Sequence, residues 1–129
     1  MAKIEKTDQQ WFEQLGQDSF KICRQSGTEP AFSGKYCDSK LAGVYCCKCC
    51  GAKLFSSDTK YNSGSGWPSF YQVLNSHAVL ERRDYSHGMI RVEAICAQCD
   101  AHLGHVFEDG PAPTGLRYCI NSASLNIDE

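Results

Sequence analysis

The sequence predicts a mainly β, α+β fold with short N-terminal helices and a structural metal site. Residues 8–27 carry apolar side chains at helical spacing, whereas the rest of the chain alternates short apolar runs with turn residues. Nine cysteines stand among the 129 residues, several of them at C-x-x-C spacing, which indicates a metal-binding staple. This length suits one modest core, so we expect residues 1–129 to form a single domain.

The first helix is predicted to begin near residue 8. Either Thr7 or Asp8 can supply the side-chain oxygen that caps the free N–H groups of its first turn. Apolar residues at helical spacing follow at Trp11, Phe12 and Leu15.

A second helix is expected after Gly16, because glycine is a poor residue inside a helix. Asp18 is a candidate cap for this second helix, and Gly27 is a candidate end.

The remainder of the chain is predicted to form antiparallel β-structure. Positions 90–94, IRVEA, alternate apolar with charged residues, so we expect Ile90 on a buried face and Glu93 on an exposed one. Loops are expected at YNSGSGWPS, SHG and EDGPAPTG.

Composition and charge exclude several classes of function. The net charge is −2 and no basic stripe is visible, so we expect no nucleic-acid partner. No apolar run reaches membrane-spanning length, so no membrane partner is expected either. The start, MAKIEKTDQQWF, lacks the apolar stretch of a secretory signal. A cytoplasmic location is expected, unless an organelle-targeting peptide has been removed.

Cysteine usage points to metal binding or catalysis. Disulfides are rare in the cytosol, and an odd number of cysteines cannot pair completely. Cys96 and Cys99 form one C-x-x-C, followed by Asp100, which tolerates left-handed backbone. Together with a second pair tens of residues away, this spacing is a strong signature of one zinc ion in a closed, structural shell of four thiolates. Disulfides, free buried thiols and a redox-active C-x-x-C are the alternatives.

The second pair lies in GVYCCKCCGAKLF, which contains two overlapping candidates, Cys46 with Cys49 and Cys47 with Cys50. The residue after a zinc-binding C-x-x-C often has left-handed backbone, which glycine adopts freely. Gly51 follows Cys50 and therefore favours the second candidate. The predicted zinc ligands are Cys47, Cys50, Cys96 and Cys99.

A possible nucleophile, Cys119, lies in GLRYCINSASL. If this run is a strand, alternation places Arg117 and Asn121 on the same face as Cys119. A nearby cation lowers the pKa of a thiol and favours the nucleophilic thiolate. Taken alone, Cys119 is better explained as a small buried side chain, and only the rest of the sequence favours the reactive thiol.

Two histidines, His102 and His105, lie in HLGHVF and are candidate general acids or metal ligands. Either one alone is more often a surface or packed residue. Strict alternation places them on opposite faces of a strand, so both reach one site only if the chain turns, with Gly104 as the expected position. His77 and His87 lie in loop-like contexts and receive no role.

An aromatic residue, Trp67, is held between Gly66 and Pro68 in GSGWPSF. It is either the positioned wall of a site or a core residue, and the local sequence favours neither.

Together, these motifs resemble the methionine-R-sulfoxide reductase family. The matching stretches span about residues 27–125. HLGHVFEDGP followed by RYCINSASL is their most specific part. The full set is GTEPAFSG, GVYCCKCCGAKLF, TKYNSGSGWPSF, SHGMIRVEAICAQCDAHLGHVFEDGP and TGLRYCINSASL.

The resemblance implies two antiparallel β-sheets with N-terminal helices, and a zinc site remote from the chemistry. It implies that Cys119 attacks the sulfur of methionine R-sulfoxide and becomes a sulfenic acid, while a histidine, His105 foremost, protonates the oxygen. Trp67 would wall a pocket for the ε-methyl group, and Phe107 would line the same pocket. The residues implied around the sulfoxide oxygen are His102, His105, Arg117 and Asn121.

Recycling is where this chain departs from the family. Many members carry a resolving cysteine in a GCGWPSF loop, where this chain has Ser65, and serine cannot form a disulfide. Cys23 and Cys37 are the candidate replacements, whereas Cys46 and Cys49 are expected to be bystanders. Direct reduction by thioredoxin, glutaredoxin or a small thiol is the remaining route. We expect a monomer that acts on protein-bound and also free methionine sulfoxide.

Two other functions compete with this one. A zinc-ribbon binding module explains the four-cysteine site but leaves Trp67 and Cys119 without a role. A general thiol-disulfide oxidoreductase needs a redox-active C-x-x-C, which the zinc would occupy.

Overall fold

A computed structural model describes residues 4–85 and 88–128 of the chain. Within these ranges, two short α-helices precede nine strands, and the strands form two antiparallel sheets. The predicted mainly β architecture is therefore confirmed. The helices are α1 Asp8–Leu15 and α2 Gln17–Arg24. The strands are β1 Val44–Cys47, β2 Lys53–Ser56, β3 Lys60–Tyr61, β4 Ser69–Phe70, β5 Val79–Asp84, β6 Arg91–Cys96, β7 His102–Phe107, β8 Arg117–Ile120 and β9 Leu125–Asp128.

The first helix begins and ends as its sequence predicts. The Thr7 side chain accepts a hydrogen bond from the Gln10 backbone N–H, and the Gln10 side chain accepts one from the Thr7 N–H, which completes a capping box. Gly16 separates the helices with a φ of +82°, a left-handed value that glycine adopts without steric cost.

The second helix corrects two expectations. Gly16 takes its N-cap position without any side-chain cap, and Asp18 lies inside the first turn instead. The helix ends at Arg24, short of Gly27, whose N–H donates to the Lys21 carbonyl 3.1 Å away. Ser26 takes the left-handed conformation that closes this end, with a φ of +56°.

The smaller sheet has the strand order β2-β1-β9, and the larger has the order β3-β4-β8-β7-β6-β5. Aromatic rings fill the space between the two sheets. Phe55 of the small sheet stacks on Phe70 of the large one at 4.4 Å between ring centroids, and Tyr45 meets the same ring edge-on at 5.2 Å. Tyr118 completes the cluster against Phe55 at 5.5 Å. One face of the large sheet is therefore committed to the core.

Strand β6 does not have the exposed face that its alternation predicts. Ile90 precedes the strand and is 72% exposed, whereas Glu93 is only 6% exposed. Burial of Glu93 is tolerated because Arg82 and His102 both contact its carboxylate. The expected SHG loop falls largely on positions 86 and 87, so His87 lies outside the described residues. Within the part of the chain that the structure describes, the helices are too short and too polar to cross a bilayer.

Candidate active site

The strand register collects polar side chains on one face of the large sheet. Cys119 of β8 lies directly opposite His105 of β7 on one side and Ser69 of β4 on the other. His105 in turn lies opposite Glu93 of β6. Residues paired in register point to the same face of a sheet, whereas Phe70 and Tyr118, one position along, point into the core. Chemistry and core therefore occupy opposite faces of the same strands.

A bulge in β7 brings the second histidine to this face. Gly104 pairs with Ala94 and His102 with Ile95, so Leu103 is an extra residue without a partner on β6. This extra residue shifts the alternation by one, and the rings of His102 and His105 lie 5.5 Å apart. The sequence predicts a turn at Gly104 if both histidines are to reach one site. The structure has a bulge instead, one residue earlier, at Leu103.

A cavity of about 230 Å³ opens beside Cys119. It is lined by all but one of the residues that the resemblance implies for attack on the sulfoxide and for substrate binding. Those residues are Trp67, His105, Phe107, Arg117, Cys119 and Asn121. Thr28, Ser65, Arg91 and Gly104 complete the lining. His102 is the exception, because it is buried behind His105 and does not line the cavity.

Cys119 is a shielded thiol. Its burial raises the pKa of the thiol, and this effect outweighs the hydrogen bond with Ser65 and the charge of Arg117, which both lower the pKa. The Ser65 Oγ and Cys119 Sγ atoms are 3.8 Å apart. Before substrate binds, Cys119 is therefore predominantly protonated at neutral pH.

Arg117 is held in place by two contacts. Its Nε donates to an oxygen of Asp109 at 2.9 Å, and its guanidinium lies 4.3 Å from the centre of the Phe107 ring. The hydrogen bond to the Asp109 carboxylate raises the pKa of Arg117. A fixed positive charge therefore faces the cavity at all physiological pH values.

Trp67 and Asn121 are positioned by one backbone segment that sequence reasoning missed. The Trp67 Nε1 donates to the carbonyl of Glu29 at 3.0 Å, and the Glu29 N–H donates to the Asn121 Oδ1 at 3.1 Å. Asn121 Nδ2 also donates to the Leu103 carbonyl at 3.1 Å. Trp67 is half-buried and forms a wall of the cavity rather than part of the core. The stretch GTEPAFSG, which contains Glu29, is part of the family resemblance, but the sequence alone assigns no role to Glu29.

His105 is paired with a carboxylate. Its Nε2 lies 2.8 Å from Asp84 Oδ2, and Arg91 lies 3.3 Å from the same oxygen. Burial lowers the pKa of His105, and the hydrogen bond to Asp84 offsets part of this shift. An ionised carboxylate only accepts hydrogen bonds, so the hydrogen of neutral His105 lies on Nε2 and Nδ1 carries the free lone pair.

His102 has a parallel arrangement deeper in the sheet. Its Nδ1 lies 2.5 Å from Glu93 Oε2, and the other oxygen of Glu93 accepts from Arg82. His102 Nε2 is buried and has no hydrogen-bond partner among the described residues. The His102 ring packs edge-on against the His105 ring, with 5.5 Å between the ring centroids.

The four predicted zinc ligands are clustered, and none of them lines the cavity beside Cys119. Their sulfur atoms all lie within 4.8 Å of one another, and two of the distances between them are 3.6 Å. Zinc–sulfur bonds of about 2.3 Å in a tetrahedron place the sulfurs roughly 3.8 Å apart. The cluster therefore fits a metal ion held by Cys47, Cys50, Cys96 and Cys99.

The two C-x-x-C turns have the same backbone design. The Gly51 N–H donates to the Cys47 carbonyl at 2.9 Å, and the Asp100 N–H donates to the Cys96 carbonyl at 2.9 Å. Gly51 has a φ of +77° and Asp100 a φ of +62°, as the sequence predicted. Left-handed backbone after each pair lets both sulfurs point at one ion.

The remaining cysteines lie outside this cluster. Cys23 is 1% exposed, and its sulfur contacts the Ser124 hydroxyl at 3.5 Å beside the buried Cys49. Cys46 and Cys37 are half-buried. Cys37 lies in a separate cleft with Lys60, whose amine donates to the Cys37 carbonyl at 3.1 Å. His77 lies in an exposed turn, where no role was expected.

Comparison with known proteins agrees with this geometry. The SelR domain model matches residues 15–129. A protein of Pseudomonas paraeruginosa named peptide methionine sulfoxide reductase MsrB is 61% identical over 127 residues, which cover 98% of this chain and 96% of that protein. Proteins of the same name from Acinetobacter baylyi and Acinetobacter baumannii are 58% identical over 127 residues, covering 98% of this chain and 91% of each relative.

The match extends over nearly the whole chain and includes the strands that carry the thiol, the histidines and the four-cysteine cluster. The chain thus belongs to the SelR-domain family of peptide methionine sulfoxide reductases, and it is an oxidoreductase that acts on sulfur.

Proposed function

We propose that this enzyme reduces the R epimer of methionine sulfoxide and that Cys119 is the nucleophile. The observation that supports this most directly is one cavity of about 230 Å³ in which a thiol, an aromatic wall and a buried histidine meet. In this proposal the methyl group of the substrate lies against Trp67, with Phe107 on the other side. The position of the methyl group relative to the oxygen then selects the epimer.

The proposed chemistry transfers one oxygen atom. Cys119 sulfur attacks the sulfoxide sulfur, while a proton reaches the sulfoxide oxygen so that the S–O bond can break. The hydroxyl then passes from the methionine sulfur to the Cys119 sulfur, as the methionine S–O bond and the transient S–S bond break and a Cys119 S–O bond forms. Methionine leaves with the electron pair, and Cys119 becomes a sulfenic acid. We assign His105 as the residue that delivers the proton, because it lines the cavity opposite Cys119.

Polarisation of the sulfoxide is assigned to fixed donors around the oxygen. Arg117 supplies a permanent charge, and Asn121 Nδ2 has one N–H beyond the one used by Leu103. His102 acts through His105, since it does not line the cavity itself.

We propose that the metal is one zinc ion and that its role is structural. Four thiolates fill a tetrahedral shell and leave no position for substrate. Cys47, Cys50, Cys96 and Cys99 are not among the residues that line the cavity beside Cys119. When bound, the ion supplies folding free energy to the loops that it joins.

The sulfenic acid needs a second thiol, and among the described residues Cys119 is the one cysteine that lines the cavity. Cys37 is the better internal candidate because its loop is half-buried and borders β3, two strands away from β8. Cys23 stays a candidate resolving thiol, but its burial and its contact with Ser124 make it hard for this sulfur to reach Cys119. Since a disulfide needs Cα atoms within about 7 Å, the Cys37 loop must move, or thioredoxin or another external thiol must attack directly.

The remaining parts of the proposal concern the surroundings of the enzyme. Oxidised protein and peptide methionine are its substrates, with free methionine sulfoxide as a further one. All nine cysteines are unpaired by disulfides, which suits a reducing compartment such as the cytoplasm. We propose a monomer in which residues 1–129 form one domain.

Turnover of the two sulfoxide epimers with dithiothreitol tests the function. We expect reduction of the R epimer only. With Cys119→Ser we expect kcat to fall by at least a thousandfold, because the serine hydroxyl does not attack the sulfoxide sulfur and cannot take over its oxygen. Undiminished activity in Cys119→Ser, or equal activity on both epimers, would disprove the proposal. Cys46→Ser is the matched control, since this thiol lies outside the cavity and outside the metal cluster.

A further inference from the structure

A carboxylate that the sequence did not single out lies behind His105. Asp84 is at the end of β5, two strands away from β7, and its Oδ2 approaches the His105 Nε2 at 2.8 Å. The side chain of His105 is 11% exposed and that of Asp84 is 20% exposed, so the contact is largely shielded from water. On the other side of the ring, Cys119 occupies the paired position on β8.

We propose that Asp84 is a positioning residue that makes Nδ1 of His105 the nitrogen that exchanges protons with Cys119 and the sulfoxide. A nucleophile, an imidazole and a carboxylate then form a row across one face of the sheet, as in other enzymes that activate a poor nucleophile through a histidine. This inference rests on the proposed roles of Cys119 and His105 as nucleophile and proton donor.

The first step follows from the protonation states. The Cys119 thiol is protonated at rest because its pKa is raised, so it brings its own proton to the reaction. Asp84 holds the N–H of His105 at Nε2, which leaves the Nδ1 lone pair free to accept that proton as the Sγ–H bond breaks. The imidazolium that forms is stabilised by the negative charge of Asp84.

The second step returns the proton. As the Cys119 sulfur bonds to the sulfoxide sulfur, Nδ1 of His105 gives its proton to the sulfoxide oxygen. The hydroxyl then passes from the methionine sulfur to the Cys119 sulfur. The methionine S–O bond and the transient S–S bond break, a Cys119 S–O bond forms, and methionine leaves as a thioether with the electron pair. The thiol hydrogen and the sulfoxide oxygen thus both finish on Cys119 as S–OH. The net charge of the site is therefore the same before and after the reaction.

Several charged or titratable groups face this pair and set its balance. Arg91 on β6 contacts Asp84. The charges of Arg91 and of His102 on β7 both disfavour the His105 cation and lower its pKa. Arg117 lies on β8 with Cys119, and Glu93 of β6 contacts His102. Asp84 is thus the carboxylate in direct contact with the His105 ring, and it alone among these groups bonds to Nε2.

Asp84→Asn tests the proposal. Single turnovers are run without reductant at pH values between 6 and 10, and the rate constant of methionine release is measured at each pH. The variant keeps the shape of Asp84 but loses its charge and allows the wrong tautomer of His105. We expect the rate constant at pH 7 to fall by at least thirtyfold. We expect the deficit to shrink by at least tenfold near pH 9.5, because hydroxide then generates the thiolate without His105. Asp84→Glu should restore part of the rate at pH 7.

Two results would overturn the proposal. One is a rate constant at pH 7 within threefold of wild type. The other is a deficit that stays constant across the pH range, which indicates a purely structural role. Glu81→Gln is the matched control, since it removes an exposed carboxylate from the same strand, and its profile should overlay that of wild type.

The proposed function and this inference fail separately. If Cys119→Ser abolishes reduction while Asp84→Asn has a wild-type profile, the enzyme is as proposed but Asp84 does not position His105. A ¹⁵N NMR spectrum of the imidazole provides a second readout in the folded protein. We expect a protonated Nε2 at His105 in wild type, and a predominant Nδ1–H tautomer in wild type would contradict the proposal.

Discussion

Ser65 occupies the point from which a thiol would reach the nucleophile. Its Oγ lies 3.8 Å from the Cys119 Sγ, and it belongs to the loop that also holds Trp67. A serine oxygen cannot form a disulfide, so under the proposed mechanism a sulfur at this position would change how Cys119 is recycled without changing the first half of the reaction.

Ser65→Cys should therefore create an internal recycling route. We expect one turnover without reductant to leave a disulfide between the introduced thiol and Cys119, detected by peptide mapping under non-reducing conditions. The wild type should give no disulfide at position 65. Ser76→Cys places a thiol on an exposed turn outside the cavity and is the control. A sulfenic acid that persists in Ser65→Cys would show that the loop cannot bring the two sulfurs together.

The reactivity of Cys119 in the free enzyme should follow its raised pKa. Because only the thiolate is alkylated, we expect slow reaction with iodoacetamide at pH 7 and a rise that continues above pH 9. Arg117→Met removes a charge that lowers the pKa of Cys119, so its alkylation profile should move to higher pH. Arg83→Met removes an exposed charge on β5 and should leave the profile in place. Mass spectrometry of the Cys119 peptide measures both, and a profile that levels off below pH 8 would contradict the assignment.

At the scale of single elements, strand β7 places both histidines and sets their distance from β8. Its bulge at Leu103 places both histidines on one face, and its glycine permits close contact with β8. A Cβ on Gly104 would lie 2.0 Å from the Cys119 carbonyl oxygen, which is a severe overlap. The strand that supplies His105 can therefore approach the strand of Cys119 this closely only with glycine at position 104.

The buried pair between β6 and β7 should contribute to stability. Glu93→Ala leaves the His102 ring and Arg82 without their shared carboxylate, and we expect a loss of about 3 kcal/mol in the free energy of unfolding, typical of breaking a buried pair. Glu81→Ala, on the solvent side of β5, should change this free energy by less than about 0.5 kcal/mol. Urea unfolding followed by fluorescence measures both. Equal effects of the two substitutions would mean that the buried pair contributes nothing.

At the scale of the whole molecule, local geometry was predictable from sequence and cross-strand geometry was not. The four-cysteine cluster and the left-handed turns after each pair depend on a few neighbouring residues, as does the break between the helices at Gly16. The burial of Glu93 and the position of Asp84 depend on which strands pair and in what register. Alternation along β6 alone puts Glu93 on the face opposite the core, but it does not show that side chains of the neighbouring strands bury that face.

The four-cysteine cluster connects parts of the fold that are distant in sequence. Arg24 of α2 donates to the Cys99 carbonyl at 2.9 Å, and Gln14 of α1 donates to the Cys49 carbonyl at 2.7 Å. The Lys48 N–H donates to the Ser124 carbonyl at 2.8 Å, just beyond the strand of Cys119. Loss of the metal should therefore loosen the helices and the segment after β8 together.

Adjacent cysteines in the YCCKCC stretch provide the sharpest test of this view. Cys47 points into the cluster, whereas Cys46 points away from it, with its sulfur near the Val44 carbonyl. We expect purified wild type and Cys46→Ser to contain one zinc per chain by elemental analysis, and Cys47→Ser to contain far less. Loss of a metal cross-link worth about 3 kcal/mol or more should lower the Tm of Cys47→Ser by roughly 10 °C or more. If both substitutions lowered zinc content and Tm equally, the selection of Cys47 and Cys50 over Cys46 and Cys49 would be wrong. Equal retention of zinc in both variants would instead place the metal elsewhere.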